Sequence, residues 1–215
     1  MNYSVYWSYY GADLVNQFGQ HIAVVLIATL VGAAIGTSTG VAVYRSPRAS
    51  DVALKTCGVF LTVPSLAVYV LLLGVLGLGW PPVLVALTLY SLLPIVRNTI
   101  VGLLGVDAAT VEAATGIGMT RMRRLTRVEF PMAWPVILAG IRIGALLLVS
   151  TATIGAIVRG PGLGNAIYDG LNRIGTSTAL YSALSGMVGV VIVGLLLNVA
   201  FIVLAKLTTP RGLRD

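Results

Sequence analysis

The sequence predicts an all-α integral membrane protein with five transmembrane helices, N-terminus out and C-terminus in. Three observations carry that expectation. The 215 residues are 57% hydrophobic and only 10% charged, against roughly 25% charged in a soluble domain. Five apolar stretches, each long enough to supply the ~20 helical residues that cross a hydrocarbon core of about 30 Å, alternate with polar intervals. The basic residues gather at the ends of those stretches, as the positive-inside rule requires of cytoplasmic loops. Such loops also explain the net charge of +7 and the pI near 9.9. No basic soluble domain is present, so nucleic acid is excluded as a partner. The single cysteine, Cys57, lies in an apolar run. It leaves no intrachain disulfide and no metal-ligand spacing.

Residues 1–20 contain no Lys or Arg and so lack the basic region of a signal peptide. Tyr3, Tyr6, Trp7, Tyr10 and Leu14 recur every three to four residues. On a helix they share a face that lies in the membrane interface, or alternatively form an aromatic cage for a quaternary ammonium. His21 reads as an interfacial residue at the start of the first span, residues 21–44. Gly32, Gly36 and Gly40 repeat at i, i+4 there and make a smooth stripe for close helix contact.

The second span is expected over residues 52–78. Thr62, Ser65 and Tyr69 form a polar stripe on it, and Pro64 kinks or loosens it. Such a stripe either lines a pathway or hydrogen-bonds to a neighbouring helix. Gly77, Gly79, Trp80, Pro81 and Pro82 make a short uncharged turn into the third span, residues 83–104. Tyr90, Pro94 and Asn98 share a face of that span, and Arg97 snorkels near its inner end. The fourth span, residues 136–158, carries Ser150, Thr151 and Thr153, with Arg142 reaching for the inner surface. After a polar interval over 159–178, the fifth span runs over 179–204 and is followed by Lys206, Arg211 and Arg214. Thr62, Ser65, Tyr69, Tyr90, Asn98, Ser150 and Thr153 are the candidate pathway-lining residues.

Charge sets the orientation. With the start outside, Arg45, Arg48, Lys55, Arg121, Arg123, Arg124, Arg127, Lys206, Arg211 and Arg214 all fall inside, and only Arg159 and Arg173 fall outside. The resulting organisation is an N-terminal interfacial segment (1–20), a transmembrane domain (21–206) with a cytoplasmic loop at about 105–135, and a cytoplasmic tail (207–215).

Residues 111–131, VEAATGIGMTRMRRLTRVEFP, hold four of the fourteen basic side chains. Asp107 caps a helix over 108–115 that carries Glu112, kept slim by Ala113 and Ala114 and ended by Gly116 and Gly118. Thr120 caps a second helix over 121–130, with Met122, Leu125 and Val128 on one side. Pro131 and Pro135 stop that helix before the fourth span. The product is a two-helix bracket with an apolar and a basic face. A plain basic loop held against lipid headgroups is the simpler reading.

The spacing of this interval resembles the cytoplasmic loop of the permease subunits of ABC importers. That loop reads Glu-Ala-Ala, three residues, Gly, nine residues, Ile, one residue, Leu-Pro. This chain has Glu112, Ala113, Ala114, then Gly118, then Val128, then Phe130 and Pro131 in the same register. LTVPSLAVYVLL from Leu61, YSLLPIVRNTIVGL from Tyr90 and VILAGIRIGALL from Val136 resemble the osmoprotectant branch of that family. The Gly-rich stretch that the family carries after its fourth core span appears as Gly160-Pro161-Gly162-Leu163-Gly164.

The resemblance implies a type I ABC importer permease (MetI-like) fold and a transport subunit for glycine betaine, choline, carnitine or proline betaine. It implies docking of Glu112, Ala113, Ala114, Gly118, Val128, Phe130 and Pro131 on a cytoplasmic ABC ATPase dimer. Further implied partners are a second permease copy or paralogue and an extracytoplasmic substrate-binding protein. ATP and Mg²⁺ belong to the ATPase, and this chain has no phosphate loop, no cofactor and no metal. It is no enzyme, since no nucleophile–base pair or metal cluster stands out. The alternatives are a permease for methionine or another amino acid, and an ion-coupled secondary transporter. Proton-coupled carriers place acids within the membrane. All seven acids here fall outside or at the ends of the expected spans.

Overall fold

A computed structural model describes residues 2–209, and Arg211 and Arg214 of the expected tail lie outside them. The described residues are helical throughout, with no strand. α1 (Tyr3–Val43) has 41 residues and is therefore about 60 Å long, twice the hydrocarbon thickness. Residues 3–20 and the expected first span therefore form one continuous helix, which no proline interrupts. Tyr6 and Leu14 are buried together with Ala166. The rings of Tyr3, Tyr6, Tyr10 and Tyr181 lie 4.9–6.1 Å apart. Tyr6 stacks on Tyr3 and Tyr10, and Tyr181 meets Tyr3 edge-on. Tyr3, Trp7 and Leu14 of the same face also line an open apolar cavity of about 500 Å³ together with Phe18 and Leu163.

α2 (Pro47–Thr62) and α3 (Ser65–Leu76) replace the expected second span and meet at 94°. A proline disfavours helical backbone in the residue before it. Val63 is extended at φ −77°, ψ 128°, and Pro64 follows at ψ 132°. Two consecutive non-helical residues make a corner where a mere kink was expected. Thr62 and Tyr69 consequently point from different helices, and their common stripe does not exist.

α4 (Trp80–Leu104) is the central post, packing most extensively against α1 and against α7 (Phe130–Ile154). The glycine stripe of α1 makes the first contact close. A β-carbon at Gly36 would meet Ile95 at 2.8 Å, and one at Gly40 would meet Thr99 at 2.6 Å. On α7, a β-carbon at Gly140 would sit 2.8 Å from the Pro94 carbonyl. Two apolar layers fill the junctions. One joins Val24, Ala28, Leu87 and Leu148; the other joins Tyr44, Ile95, Ile100 and Ile137.

His21 is fully buried, and its Nε2 donates to the Val149 carbonyl at 3.0 Å. It is an internal strut between α1 and α7, contrary to the interfacial expectation. A 3₁₀ turn (Gly155–Val158) leads to the Gly-rich stretch, whose residues 160–164 are buried. Gly162, at φ 111°, abuts His21, and Gly164 abuts the Thr153 carbonyl. Asn165 Nδ2 donates to the Gly160 and Gly162 carbonyls at 2.8 and 2.9 Å. α8 (Gly164–Asn172) then packs on α9 (Ala179–Thr208), whose outer face is an open row of apolar side chains including Leu195, Leu196 and Val199. Among the described residues four helices are long and apolar enough to cross a membrane, or five with the bent α2–α3 pair counted as one span.

Overpacking a close contact costs about 1–3 kcal/mol. Gly40→Leu is therefore expected to lower the melting temperature of the detergent-solubilised protein by several degrees. Gly58→Ala, where nothing lies within 4 Å of the new β-carbon, is expected to leave it within error. Scanning fluorimetry of both variants checks the contrast.

Candidate functional site

The candidate pathway residues separate into two groups. Tyr69 is fully buried and donates to the Thr151 carbonyl at 3.1 Å. Tyr90 donates to the Val63 carbonyl at 2.8 Å. Val63 is where the helix breaks, so its carbonyl has no intrahelical partner, and in lipid such a group must find one. Tyr90 is the partner. Asn98 bonds within its own helix, to the Pro94 carbonyl at 2.8 Å. The two tyrosines brace the bundle between elements. Thr62 and Ser150 remain exposed, each bonded to a main-chain carbonyl one turn back; Ser65 and Thr153 are partly covered. No single cavity gathers all seven. Arg142 turns to a neighbouring helix: its Nε and one terminal nitrogen donate to Asn198 Oδ1 at 3.0 and 2.6 Å, clamping α7 to α9. Arg97 is exposed two turns from the end of α4.

The bracket forms largely where the sequence places it. Asp107 accepts from the Thr110 amide at 3.2 Å and opens α5 (Ala108–Gly116). Gly118 reverses the chain at φ 82°, a backbone region that favours glycine. Thr120 accepts from the Arg123 amide and opens α6 (Arg121–Arg124). The exit differs from the expectation. Pro131 does not end the helix, which runs on from α6 through a π turn (Leu125–Glu129) into α7. In the π turn the Phe130 amide donates five residues back, to Leu125. This shift of register spares Pro131 the bond it cannot make.

The Glu-Ala-Ala motif thereby splits in two. Glu112, Ala113 and Gly118 are exposed at the tip, and Ala114 alone turns inward. Ile117 is 75% and Met122 69% exposed beside them. Val128 and Phe130 are half-buried at the root, where Phe130 packs against Trp134 and the inner core layer. Pro131 opens α7.

Between Val128 and Phe130 sits Glu129, 3% exposed. Its Oε1 accepts from Arg124 Nε at 2.7 Å and from Arg45 at 3.1 Å; its Oε2 accepts from the Tyr44 hydroxyl and from Arg45 at 3.3 Å. Arg124 also donates to Thr115 Oγ1 at 2.6 Å. A buried carboxylate with both oxygens satisfied holds strongly, and losing a partner leaves an uncompensated charge. The sequence reading passed over Glu129 as an acid at a span end. Arg124 lies five residues away, about 140° around an α-helix, and only the π turn brings the pair together.

The family model described as "Binding-protein-dependent transport system inner membrane component" matches residues 28–213. The carnitine transport permease protein OpuCB of Listeria monocytogenes is 36% identical over 205 residues, 95% of this chain and 92% of that protein. The glycine betaine/carnitine/choline transport system permease protein OpuCB of Bacillus subtilis (strain 168) is 35% identical over 207 residues, again 95% and 92%. Among solved structures, a chain of the MetNI methionine ABC transporter in inward-facing conformations superposes with TM-score 0.78. It is 23% identical, with 92% of this chain and 96% of that chain covered, a likeness of fold.

If Tyr90 caps the broken helix rather than touching solute, Tyr90→Phe removes one hydrogen bond worth about 0.5–1.5 kcal/mol. The variant is expected to melt a few degrees lower while its uptake KM stays unchanged. Melting curves and uptake kinetics on the same membrane preparation check this.

Proposed function

The chain belongs to the family of binding-protein-dependent transport system inner membrane components, and from that premise we propose that it is the permease of an ATP-driven importer for osmoprotectants: glycine betaine, choline, carnitine or proline betaine. It is a multi-pass protein of the bacterial plasma membrane. The solute class rests on the names carried by relatives at 35–36% identity over 95% of the chain. The methionine transporter's likeness at 23% identity speaks for fold and not for solute.

One observation carries the coupling half of the proposal. The bracket exposes Ile117, Met122, Glu112 and a left-handed Gly118 together. Exposed apolar side chains rimmed by polar ones mark a protein docking surface, and a basic loop resting on headgroups has no need of them. In this reading the bracket, over about residues 105–135, sits in a cleft of a separate cytoplasmic ATPase dimer, which binds ATP and Mg²⁺ and performs the hydrolysis. Closure of that dimer moves two brackets and switches two permeases, this chain and a second copy or paralogue, between inward-open and outward-open. An extracytoplasmic binding protein delivers solute. Thr62 and Ser150, with exposed side chains, face the pathway, while Tyr69, Tyr90 and Asn98 stiffen its walls. The N-terminus lies outside and the tail over 207–215 inside, as the basic loops require.

A non-glycine residue in left-handed backbone costs about 1–3 kcal/mol, and at Gly118 a side chain would meet nothing of this chain within 4 Å. Gly118→Val is therefore expected to reach the membrane in normal amounts and to lose uptake about tenfold, a change of ~1.4 kcal/mol. Uptake of radiolabelled glycine betaine, normalised to permease content, checks this; full uptake would count against docking at the tip.

A reporter fused after Asp215 is expected to be active on the cytoplasmic side, and extracytoplasmic activity would overturn the orientation.

A further inference from the structure

The bracket is tied to the first span by side chains that docking does not require. α1 ends at Val43, and Tyr44 and Arg45 follow it directly. Both reach Glu129 at the root of the bracket, Arg45 with bonds to each carboxylate oxygen. Glu129 in turn holds Arg124, whose remaining reach goes to Thr115, on the last turn of α5. An unbroken polar chain thus runs from the end of α1 through Glu129 and Arg124 to the helix that carries Glu112. Apart from this chain α5 is weakly anchored. Only Ala114 of its nine residues is buried.

We propose that Glu129 is a positioning residue for energy coupling, a clamp that makes α5 and the inner end of α1 move as one body. The proposal rests on the docking role given to the bracket above and adds the route by which a push on α5 enters the membrane. α6 and α7 offer a second route along the helix, but the π turn interrupts its regular hydrogen bonding at Leu125–Glu129. Glu129 spans that soft point. The clamp is matched in chemistry as well as in place. One carboxylate faces two guanidinium groups and a phenol, so each oxygen receives two donors, and Arg124 has an N–H left over for Thr115. Glu112 serves no such purpose, since it makes no hydrogen bond or ion pair with the described residues and stays free for a partner.

The test uses the complete complex of permease, ATPase and binding protein in liposomes, with glycine betaine as solute. Thr115→Val cuts the chain at its exposed end, where loss of a hydroxyl does not unfold the protein. Glu129→Gln cuts it at the hub while preserving shape. Both variants are expected to retain bound ATPase and at least half of its hydrolysis, while uptake falls about tenfold, so that ATP consumed per solute moved rises. Glu129→Asp, which keeps the charge, is expected to recover part of the uptake. Unchanged uptake in Thr115→Val and Glu129→Gln would overturn the clamp, as would hydrolysis and uptake falling together in Thr115→Val. Should the wild-type complex contain no ATPase at all, the docking reading fails first, and that outcome is distinct from a failure of the clamp.

Discussion

Inside a bilayer there is no water to satisfy a broken backbone bond, and each unpaired group costs several kcal/mol. The helix breaks are built to meet that constraint. The corner at Val63 is answered by the Tyr90 hydroxyl. The Gly-rich turn after α7 is answered by the Asn165 amide. In the bracket, where that constraint is relaxed, a π turn carries the helix from α6 past Pro131 into α7. Between these points the helices approach closely because Gly36, Gly40 and Gly140 present no side chain. The result is a stiff bundle of α1, α4 and α7, which is what a gate driven from one end needs.

At that end a different rule applies. Glu129 is a charge out of water, stabilised by three donor residues from two segments, Tyr44 and Arg45 just after α1 and Arg124 of α6, and Arg124 in turn donates to Thr115 of the tip helix α5. Breaking a buried pair leaves charges stranded, so such a node favours one arrangement strongly. The exposed half of the Glu-Ala-Ala motif can therefore be shaped for a partner while the buried half fixes its bearing. Ile117 and Met122 are exposed beside Glu112 and Gly118, whereas Val128 and Phe130 are half-buried at the root.

Much of this was legible in the chain itself. Apolar length marked the membrane-crossing stretches. The i, i+4 glycines marked the α1–α4 contact, and Asp107 and Thr120 marked both helix starts of the bracket. These are local signals, each complete within a few residues. What escaped depends on partners distant in sequence or on a change of helical period. A proline in an apolar run does not say whether it bends a helix slightly or turns it through 94°. His21 looked interfacial because its acceptor lies 128 residues away. Arg142 found Asn198 across a helix pair. Arg124 and Glu129 sit at a spacing that α-helical periodicity separates, so the pair was invisible until the π turn appeared. Tyr69 and Tyr90 were read by polarity alone, which cannot distinguish a wall from its brace.

The central claim is that an exposed bracket passes work from a separate ATPase into a bundle that has no motor of its own. The most direct measurement is site-specific crosslinking in native membranes from a photoreactive residue at position 117, followed by identification of whatever is captured. The account predicts an ATP-hydrolysing protein whose capture changes when ATP is trapped. Capture of lipid alone, in both nucleotide states, would contradict it.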